Sequence, residues 1–344
     1  MPFRPVEVLF NPTLDCNLSC GHCNSKKGAA TLPEKIALKF LGQCSKAGIK
    51  RVGFTGGEPF LAPGFLCRLT KEAVRHGMLF DRIMTNGAWF RNEAGLRRTL
   101  ERLYRAGYDG SICVSADAYH FRSGSVNKAA SFIRTAVSVW GRPDIISIAC
   151  VAGEKEKAAE SALRKIAARL DARLLKKSGR PSAIKGKFLF IKIHNIELSP
   201  IGKAGRLKDP WDGEWFKEDR CKGPGNVFYV LPNGDVKPCC GYATDSPRLT
   251  IGNIRRDSPS DLIKNAGANA FVDTVFNRGL SYIRRQSEKA GHKFPGKTGN
   301  ICFFCNYLLI SLPGWETRCQ PPSLRGRSPK QSRRLRRCGA SEAI

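Results

Sequence analysis

Three cysteines lie close together near the start of the chain, at Cys16, Cys20 and Cys23. They follow a short apolar segment with the spacing C-x3-C-x2-C, which lets one loop carry three thiolates to three corners of an iron–sulfur cubane. Three protein ligands leave one iron open to a ligand from elsewhere. A structural zinc site would need four ligands, and His22, between two of the cysteines, is more typical of a packing residue beside the cluster.

A second set of cysteines lies in the C-terminal third. Cys221 precedes a predicted hairpin and Cys239 follows it, so the turn at Gly234 folds the two thiols toward each other. Cys302 and Cys305 offer two further ligands on what we expect to be a compact loop. Four thiolates complete an iron–sulfur site. Spacing alone does not exclude zinc at the same four residues.

Short apolar runs alternate with helix-length segments over the first 200 residues. The predicted strands are Val6–Phe10, Arg51–Thr55, Arg82–Thr85, Ser111–Ser115, Ile145–Val151 and Phe188–Ile196. The predicted helices are Pro33–Ala47, Pro63–His76, Glu93–Ala106, Ser125–Trp140 and Lys155–Leu170. Strands separated by such helices predict parallel βαβ units and an α/β fold. Six strands suit a partial (β/α)6 barrel, with its chemistry at the C-terminal strand ends.

The pattern changes after the sixth strand. We expect a core domain at 1–210, a small hairpin-plus-helix domain at 211–320 and a basic, disordered tail at 321–344. The Lys- and Gly-containing segment Lys176–Lys187 predicts a loop. An Asn-Gly turn predicts a hairpin from Val227–Leu231 and Asp235–Lys237. Helices are predicted at Ser258–Asn265 and Ala270–Lys289.

Composition places the chain among ordinary globular proteins, with 42% hydrophobic and 25% charged residues over 344 positions. No apolar run is long enough to cross a bilayer and no signal peptide precedes the first strand, so we expect a cytoplasmic protein whose 14 cysteines stay reduced. The net charge of +29 would attract anions, including nucleic acid. The basic residues are spread widely and lack interleaved aromatics, which disfavours a nucleic-acid platform.

The early cysteine loop is similar to the signature of the radical S-adenosylmethionine (SAM) superfamily. Further elements of that family follow in order, each at the end of a predicted strand: Gly56-Gly57-Glu58-Pro59, Thr85-Asn86-Gly87, Ser115-Ala116-Asp117 and the segment 199–206. In the family, the first of these hydrogen-bonds the amino group of SAM. The resemblance therefore implies a catalytic 4Fe–4S cluster held by the three early cysteines. It implies cofactor binding at Gly56, Gly57, Glu58, Pro59, Asn86, Ser115 and Asp117.

The second cysteine set resembles the SPASM/twitch auxiliary domain of the same superfamily. That resemblance implies a second, auxiliary iron–sulfur cluster held by Cys221, Cys239, Cys302 and Cys305. Cys319 is an alternative ligand, because the three-cysteine spacing C-x2-C-x13-C that ends there also resembles the auxiliary site of the GTP cyclase of molybdenum-cofactor synthesis. That alternative leaves the two hairpin cysteines unexplained.

Three ionisable residues near strand ends are candidates for a catalytic base, Asp117, His120 and Glu197. A substrate radical must usually lose a proton or an electron, so a base is expected. For each there is also a non-catalytic interpretation. Asp117 would hold the ribose of SAM, His120 would cap a loop, and Glu197 would be a solvated carboxylate at a strand end.

The resemblance implies reductive cleavage of SAM and hydrogen abstraction from a substrate, followed by oxidation through the auxiliary cluster. The expected partners are a peptide, protein or small-molecule substrate and an electron donor such as flavodoxin or ferredoxin. Three alternatives remain: a GTP 3′,8-cyclase-like enzyme, an RNA-modifying radical SAM enzyme, and a zinc-stabilised nucleic-acid-binding module. The charge motivates the last two. Maturases of peptides often carry an added N-terminal leader-binding domain, which we do not expect here.

Overall fold

The computed structural model describes residues 3–25, 27–120, 125–152, 156–217, 219 and 225–312. Its strands are β1 (Glu7–Phe10), β2 (Arg51–Phe54), β3 (Leu79–Thr85), β4 (Ser111–Ser115), β5 (Ile146–Ala152), β6 (Ala172–Lys177), β7 (Arg180–Gly186), β8 (Phe190–Glu197), β9 (Gly225–Val230), β10 (Asp235–Cys239) and β11 (Gly252–Asn253). Its helices are α1 (Glu34–Lys46), α2 (Pro63–Arg75), α3 (Glu93–Arg105), α4 (Ser125–Trp140), α5 (Glu156–Arg169), α6 (Pro259–Ala268), α7 (Ala270–Asn277), α8 (Leu280–Lys289) and α9 (Ile301–Ser311).

The predicted α/β architecture is confirmed. Six strands pair in parallel in the order β1, β2, β3, β4, β5 and β8. Helices α1 to α4 connect the first five of these strands, and α5 follows β5. The described strands form one sheet with the order β11-β10-β9-β1-β2-β3-β4-β5-β8-β7-β6. Its two ends are not paired with each other. The sheet is thus open, with a parallel core of six strands.

Successive side chains of a strand point to opposite faces of the sheet, and one of these faces is covered by helices. Val8 and Phe10 of β1 are fully buried in the main core, whereas Leu9 between them belongs to a small separate cluster with β9. Helix α3 buries Leu96, Leu100 and Leu103, which share one face at helical spacing. Each such side chain contributes about 1.5–3 kcal/mol on burial.

The prediction of a loop over Lys176–Lys187 is wrong. β6 and β7 form an antiparallel hairpin there, and β7 continues the sheet beside β8. The turn residues Ser178 and Gly179 both have positive φ, at 51° and 79°, as a two-residue hairpin of type I′ requires. The lysines made the segment resemble a loop, although Ile184 is fully buried in the core.

The single helix predicted over Ala270–Lys289 is two helices, α7 and α8. They are separated at Gly279, whose φ of 86° suits glycine. A Cβ at this position would lie 2.7 Å from the Asp219 carbonyl oxygen. The Asp219 carboxylate accepts a hydrogen bond from the Ser281 amide at 2.6 Å. A close approach to a distant segment therefore ends the first helix.

The hairpin predicted around Gly234 is confirmed as β9 and β10. β9 pairs in parallel with β1, so the hairpin extends the sheet of the core instead of forming a sheet of its own. The division of the chain near residue 210 stays a prediction, and so does the disordered tail, because residues 321–344 lie outside the described residues. Within the described ranges, no helix combines the length and apolarity that crossing a bilayer needs.

Candidate active site

The early cysteine loop connects β1 to α1 and is closed at its base. Thr13 and Thr31 form an antiparallel bridge, and the Leu14 amide donates to the Ala30 carbonyl at 3.1 Å. The enclosed loop overhangs the C-terminal edge of the parallel strands. It forms one wall of a cleft of about 760 Å³ whose lining includes Cys16, Cys20, Cys23, Gly56, Gly57, Asn86, Ser115 and His120. The structure thus brings together most of the residues predicted for SAM and the catalytic cluster.

The glycine turn after β2 packs directly on the cysteine loop. The Gly57 amide donates to the Thr13 carbonyl and the Glu58 amide to the Asp15 carbonyl, both at 2.8 Å. A Cβ on Gly57 would lie 2.1 Å from the Asp15 carbonyl oxygen, which leaves no room for any other residue. The glycine is therefore needed for the close approach of two backbones that together shape the cleft.

The Glu58 side chain is completely buried and points into the protein. One carboxylate oxygen accepts from the Phe60 amide at 3.1 Å and the Thr85 hydroxyl at 2.8 Å. The other accepts from the Asn86 amide at 2.8 Å. Burial raises the pKa of Glu58 to about 7, although these three donors lower it. The side chain joins the ends of β2 and β3, which leaves the backbone of its turn to face the cleft.

Asn86 connects β3 to the cysteine loop. Its amide nitrogen donates to the Asn17 side chain at 2.8 Å and contacts the Cys16 sulfur at 3.8 Å. Its amide oxygen accepts from the Ala88 backbone at 2.8 Å. The sequence did not reveal Asn17, because an asparagine between two cluster cysteines carries no signal of its own. Asn86 thus holds the loop in place as well as lining the cleft.

Asp117 lies just beyond β4 and is fully buried. Its carboxylate accepts from the backbone amides of Tyr119 and His120 and, at 2.9 Å, from the His120 ring. Burial raises the pKa of Asp117, but the hydrogen bond from His120 and the other donors hold it below its usual value. The carboxylate is thereby occupied by protein groups.

His120 pairs with the Asp117 carboxylate at 2.9 Å and lines the cleft together with the three early cysteines. Burial lowers the pKa of His120, but Asp117 and Cys20 raise it to about 10. The ring of His22 contacts the rings of Tyr119 and His120 at centroid distances of 4.7 and 4.8 Å. The interpretation of His22 as a packing residue beside the loop fits these contacts.

Besides Glu58 and Asp117, two further predicted residues do not line the cleft. Glu197 lies at the end of β8 with its side chain 64% exposed and paired with Lys208 at 3.2 Å. It lines a different depression, with Trp215 and Asn300. Pro59 is buried at the start of a short 3-10 turn. Neither side chain lines the cleft.

Three described cysteines of the second set line an apolar pocket. Cys239, Cys302 and Cys305 line it together with the helices α7 and α8. The prediction of a compact loop for Cys302 and Cys305 is wrong, because both residues lie on α9. Asn300 caps this helix, since its side chain accepts a hydrogen bond from the Phe303 amide at 2.9 Å. Their i, i+3 spacing still places both thiols on one face. Cys221 and Cys319 lie outside the described residues.

The donor sets suit iron–sulfur clusters at both places. Thiolate sulfur is the ligand type of such clusters. Burial raises the pKa of Cys16, and it raises the pKa of Cys239, with help from Cys302, to about 11. A buried thiol of this kind ionises when a metal ion binds it. Three cysteines near the cleft and three around the apolar cavity would hold two clusters.

A protein-family model for SPASM, an iron–sulfur cluster-binding domain, matches residues 221–289. The match begins at Cys221, spans Cys239 and Cys240, and ends before Cys302. The chain therefore carries a SPASM domain, and along most of its length it is similar to radical SAM proteins with a SPASM/twitch domain. SAM and 4Fe–4S clusters are the cofactors of that family.

Two curated relatives match this chain along most of its length. YydG of Bacillus subtilis, named for peptide biosynthesis, is 22% identical over 323 residues, which cover 88% of this chain and 92% of YydG. The GTP 3′,8-cyclase of Listeria monocytogenes is 22% identical over 325 residues, which cover 91% of this chain and 78% of the cyclase. Identity at this level leaves the substrate open.

The solved structures similar to this chain include anSMEcpe with bound S-adenosylmethionine and a peptide. It has a TM-score of 0.50 and 17% identity, and the match covers 81% of this chain and 85% of that one. The same protein without the peptide gives a TM-score of 0.52 at 14% identity, with 88% and 95% covered. These likenesses support the shared fold.

Proposed function

We propose that this chain cleaves SAM reductively at the cleft beside β1 and uses the resulting radical to modify a peptide. The observation that supports this most directly is the convergence in one cleft of three cysteines, the glycine turn of Gly56 and Gly57, and Asn86. When bound, the cluster supplies one electron that splits SAM into methionine and a 5′-deoxyadenosyl radical, which takes hydrogen from the substrate.

The protein's own residues hold and orient the two cofactors in this proposal. Cys16, Cys20 and Cys23 would bind the catalytic cluster. The backbone around Gly56 and Gly57 would accept from the amino group of SAM, since Glu58 below it is committed to protein donors. Ser115 and Asn86 line the same cleft and would contact the rest of the nucleoside.

The three candidates for a catalytic base have unequal support. The Asp117 carboxylate is occupied by protein donors, which favours a positioning role toward His120 over contact with ribose or substrate. His120 lines the cleft and stays a candidate proton carrier. Glu197 faces a separate depression, so its catalytic role has the least support.

The auxiliary site is proposed to hold a cluster through Cys239, Cys302 and Cys305, with Cys221 or Cys319 as the fourth ligand. Its position on the hairpin that extends the core sheet supports a role as electron acceptor for the oxidised substrate. A peptide substrate is favoured because YydG, which is named for peptide biosynthesis, aligns over nearly its whole length. We propose a cytoplasmic location and a flavodoxin or ferredoxin as the source of electrons.

The SAM-cleavage activity can be tested without a known substrate. The chain is purified anaerobically, loaded with iron and sulfide, and incubated with dithionite and SAM. We expect a brown protein that forms 5′-deoxyadenosine and methionine in equal amounts, measured by liquid chromatography with mass spectrometry. A colourless, zinc-loaded preparation that forms neither product would contradict the proposal and favour a zinc-stabilised binding module.

The substrate class requires a second measurement. Peptides encoded beside the gene are added to the same reaction and examined for a change in mass, or for deuterium transferred into 5′-deoxyadenosine from labelled peptide. Modified peptide with coupled 5′-deoxyadenosine is the expected result. Turnover of GTP in place of peptide would instead favour the cyclase-like alternative, and salt-sensitive retention and modification of RNA would favour the RNA-modifying one.

A further inference from the structure

The sheet face that points away from the helices is open where β6, β7 and β8 extend the sheet. Cross-strand pairing places Arg173, Lys185 and Phe190 in one row across these strands. Ile184, the neighbour of Lys185, is fully buried in the helix-covered core, so Lys185 and its row point to the opposite face. Lys192 follows Phe190 by two positions on β8 and shares that face. Arg173, Lys185, Phe190 and Lys192 are all exposed, and we call them the basic face.

The cations of the basic face have no carboxylate partner in the described part of the chain. There, the ion pair of the β6–β7 hairpin joins Lys176 to Glu160 of α5 at 2.6 Å, on the helix side of the sheet. Arg173, Lys185 and Lys192 form no ion pair with a described residue. Exposed cations without such neighbours produce a positive local potential that attracts acidic ligands.

A polar depression adjoins the basic face at the N-terminal ends of the parallel strands. Phe190 and Lys192 line it together with Ser111 and Ser147, whose hydroxyls lie 3.2 Å apart. Ser111 begins β4, whereas Ser115 at the other end of that strand lines the cleft. Because a strand rises about 3.3 Å per residue, the two serines are roughly 13 Å apart. The depression therefore lies at the opposite end of the strands from the proposed SAM site.

The two carboxylates that line this depression are each paired with arginine. Asp81 pairs with Arg51 at 2.9 Å and with Arg82 at 2.8 Å. Asp144 pairs with Arg142 at 2.8 Å. These pairs leave the positive charge of the basic face unopposed on the side of the depression.

We propose that the basic face binds an acidic segment of the peptide substrate, away from the residue that reacts. This inference rests on the proposed peptide substrate and adds the charge of one of its segments. Carboxylates of the segment pair with Arg173, Lys185 and Lys192, and an apolar side chain of the segment packs on Phe190. One carboxylate enters the depression, where the serine hydroxyls offer further donors. The segment anchors the peptide while another part of it reaches the cleft.

A nucleic acid fits this surface less well than a peptide does. Bases bind by stacking on exposed aromatic rings, and Phe190 is the aromatic member of the basic face. The nearby Phe188 is 81% exposed, but the Lys187 ammonium lies over its ring at 5.1 Å. β6 is also the end strand of the sheet, and such an edge accepts an extended peptide backbone. Charge and shape together favour an acidic peptide.

Binding to the cluster-loaded protein tests this by fluorescence anisotropy. The probes are a fluorescein-labelled peptide of alternating glutamate and leucine, the same peptide with glutamine in place of glutamate, and a labelled oligouridylate. The basic-face variant combines Arg173→Gln, Lys185→Gln and Lys192→Gln. Its matched control removes the same net charge from the exposed side of α1, through glutamine substitutions at three lysines: Lys35, Lys39 and Lys46.

We expect the wild-type protein and the α1 variant to bind the glutamate peptide with similar affinity. The basic-face variant should bind it about tenfold more weakly, because three exposed charge pairs are lost. The glutamine peptide should bind weakly to all three proteins. Equal weakening in both variants would mean that binding follows net charge alone and would overturn the inference. Tighter binding of oligouridylate than of the glutamate peptide through the same three cations would also overturn it.

SAM cleavage on the same preparations separates this inference from the proposed function. The basic-face variant should form 5′-deoxyadenosine at the wild-type rate, since its three changes lie away from the cleft. A wild-type protein that cleaves SAM but does not bind the glutamate peptide contradicts this inference alone. A wild-type protein that does not cleave SAM contradicts the proposed function.

Discussion

Replacing Cys20 with alanine is expected to lower 5′-deoxyadenosine formation by about a thousandfold or more, since loss of one thiolate removes a cluster ligand. Cys20 is 9% exposed and lines the cleft. The measurement is the rate of 5′-deoxyadenosine release under dithionite, together with iron and acid-labile sulfide content after anaerobic loading. The fall in iron should correspond to one cluster.

Cys67→Ala is the matched control. Cys67 is also 9% exposed, but it lies on α2, within the hydrophobic core. Its removal should cost only packing energy and should leave cluster content and SAM cleavage close to wild type. If Cys20→Ala cleaved SAM as fast as Cys67→Ala, the early loop would not hold the catalytic cluster.

Replacing Cys302 with alanine is expected to lower the iron content of the protein without abolishing SAM cleavage. The protein should lose about four of its iron atoms, the content of one cubane cluster, while still forming 5′-deoxyadenosine from SAM alone. Cys302 and Cys239 line the same cavity, and burial raises the pKa of each thiol, so binding of a metal ion would favour their ionisation. Metal analysis and SAM cleavage are measured on the same preparation.

Cys240→Ala distinguishes the ligand from its neighbour. Cys240 directly follows Cys239 but is exposed and does not line the cavity. We expect this variant to keep both clusters. Loss of iron from Cys240→Ala but not from Cys302→Ala would contradict the ligand set proposed for the auxiliary site, and zinc in place of iron at the site would contradict the cluster itself.

The parts of the site that the sequence predicts are those encoded locally. The cysteine spacing defines the early loop within eight residues, and each later motif follows a strand whose apolar alternation is strong. Parallel strands place their C-terminal ends at one edge. The order of the strands therefore brings Gly56, Asn86 and Ser115 to the loop without further information.

The contacts between distant segments could not be predicted. The direction of the Glu58 side chain depends on Thr85 and Asn86, which are nearly 30 residues away. Gly279 interrupts a helical pattern because Asp219 approaches its backbone. In both cases the partner is a polar atom from a distant segment, and such a contact cannot be predicted from hydrophobic periodicity.

The hairpin of β6 and β7 was missed for a different reason. Its lysines are typical of a solvated loop, while its strand character depends on pairing with β8, which shields Ala183 and Ile184. Edge strands often carry lysines, which discourage pairing with other chains. A Ser-Gly turn between two such strands gives only a weak sequence signal.

The most direct test is the electron paramagnetic resonance spectrum of the reduced Cys302→Ala protein, which retains the early cysteine loop, recorded with and without SAM. If three thiolates leave one iron open for SAM, adding SAM will change the g-values of the reduced cluster. An identical spectrum in the presence of saturating SAM, in a protein that contains a reduced 4Fe–4S cluster, would contradict the account.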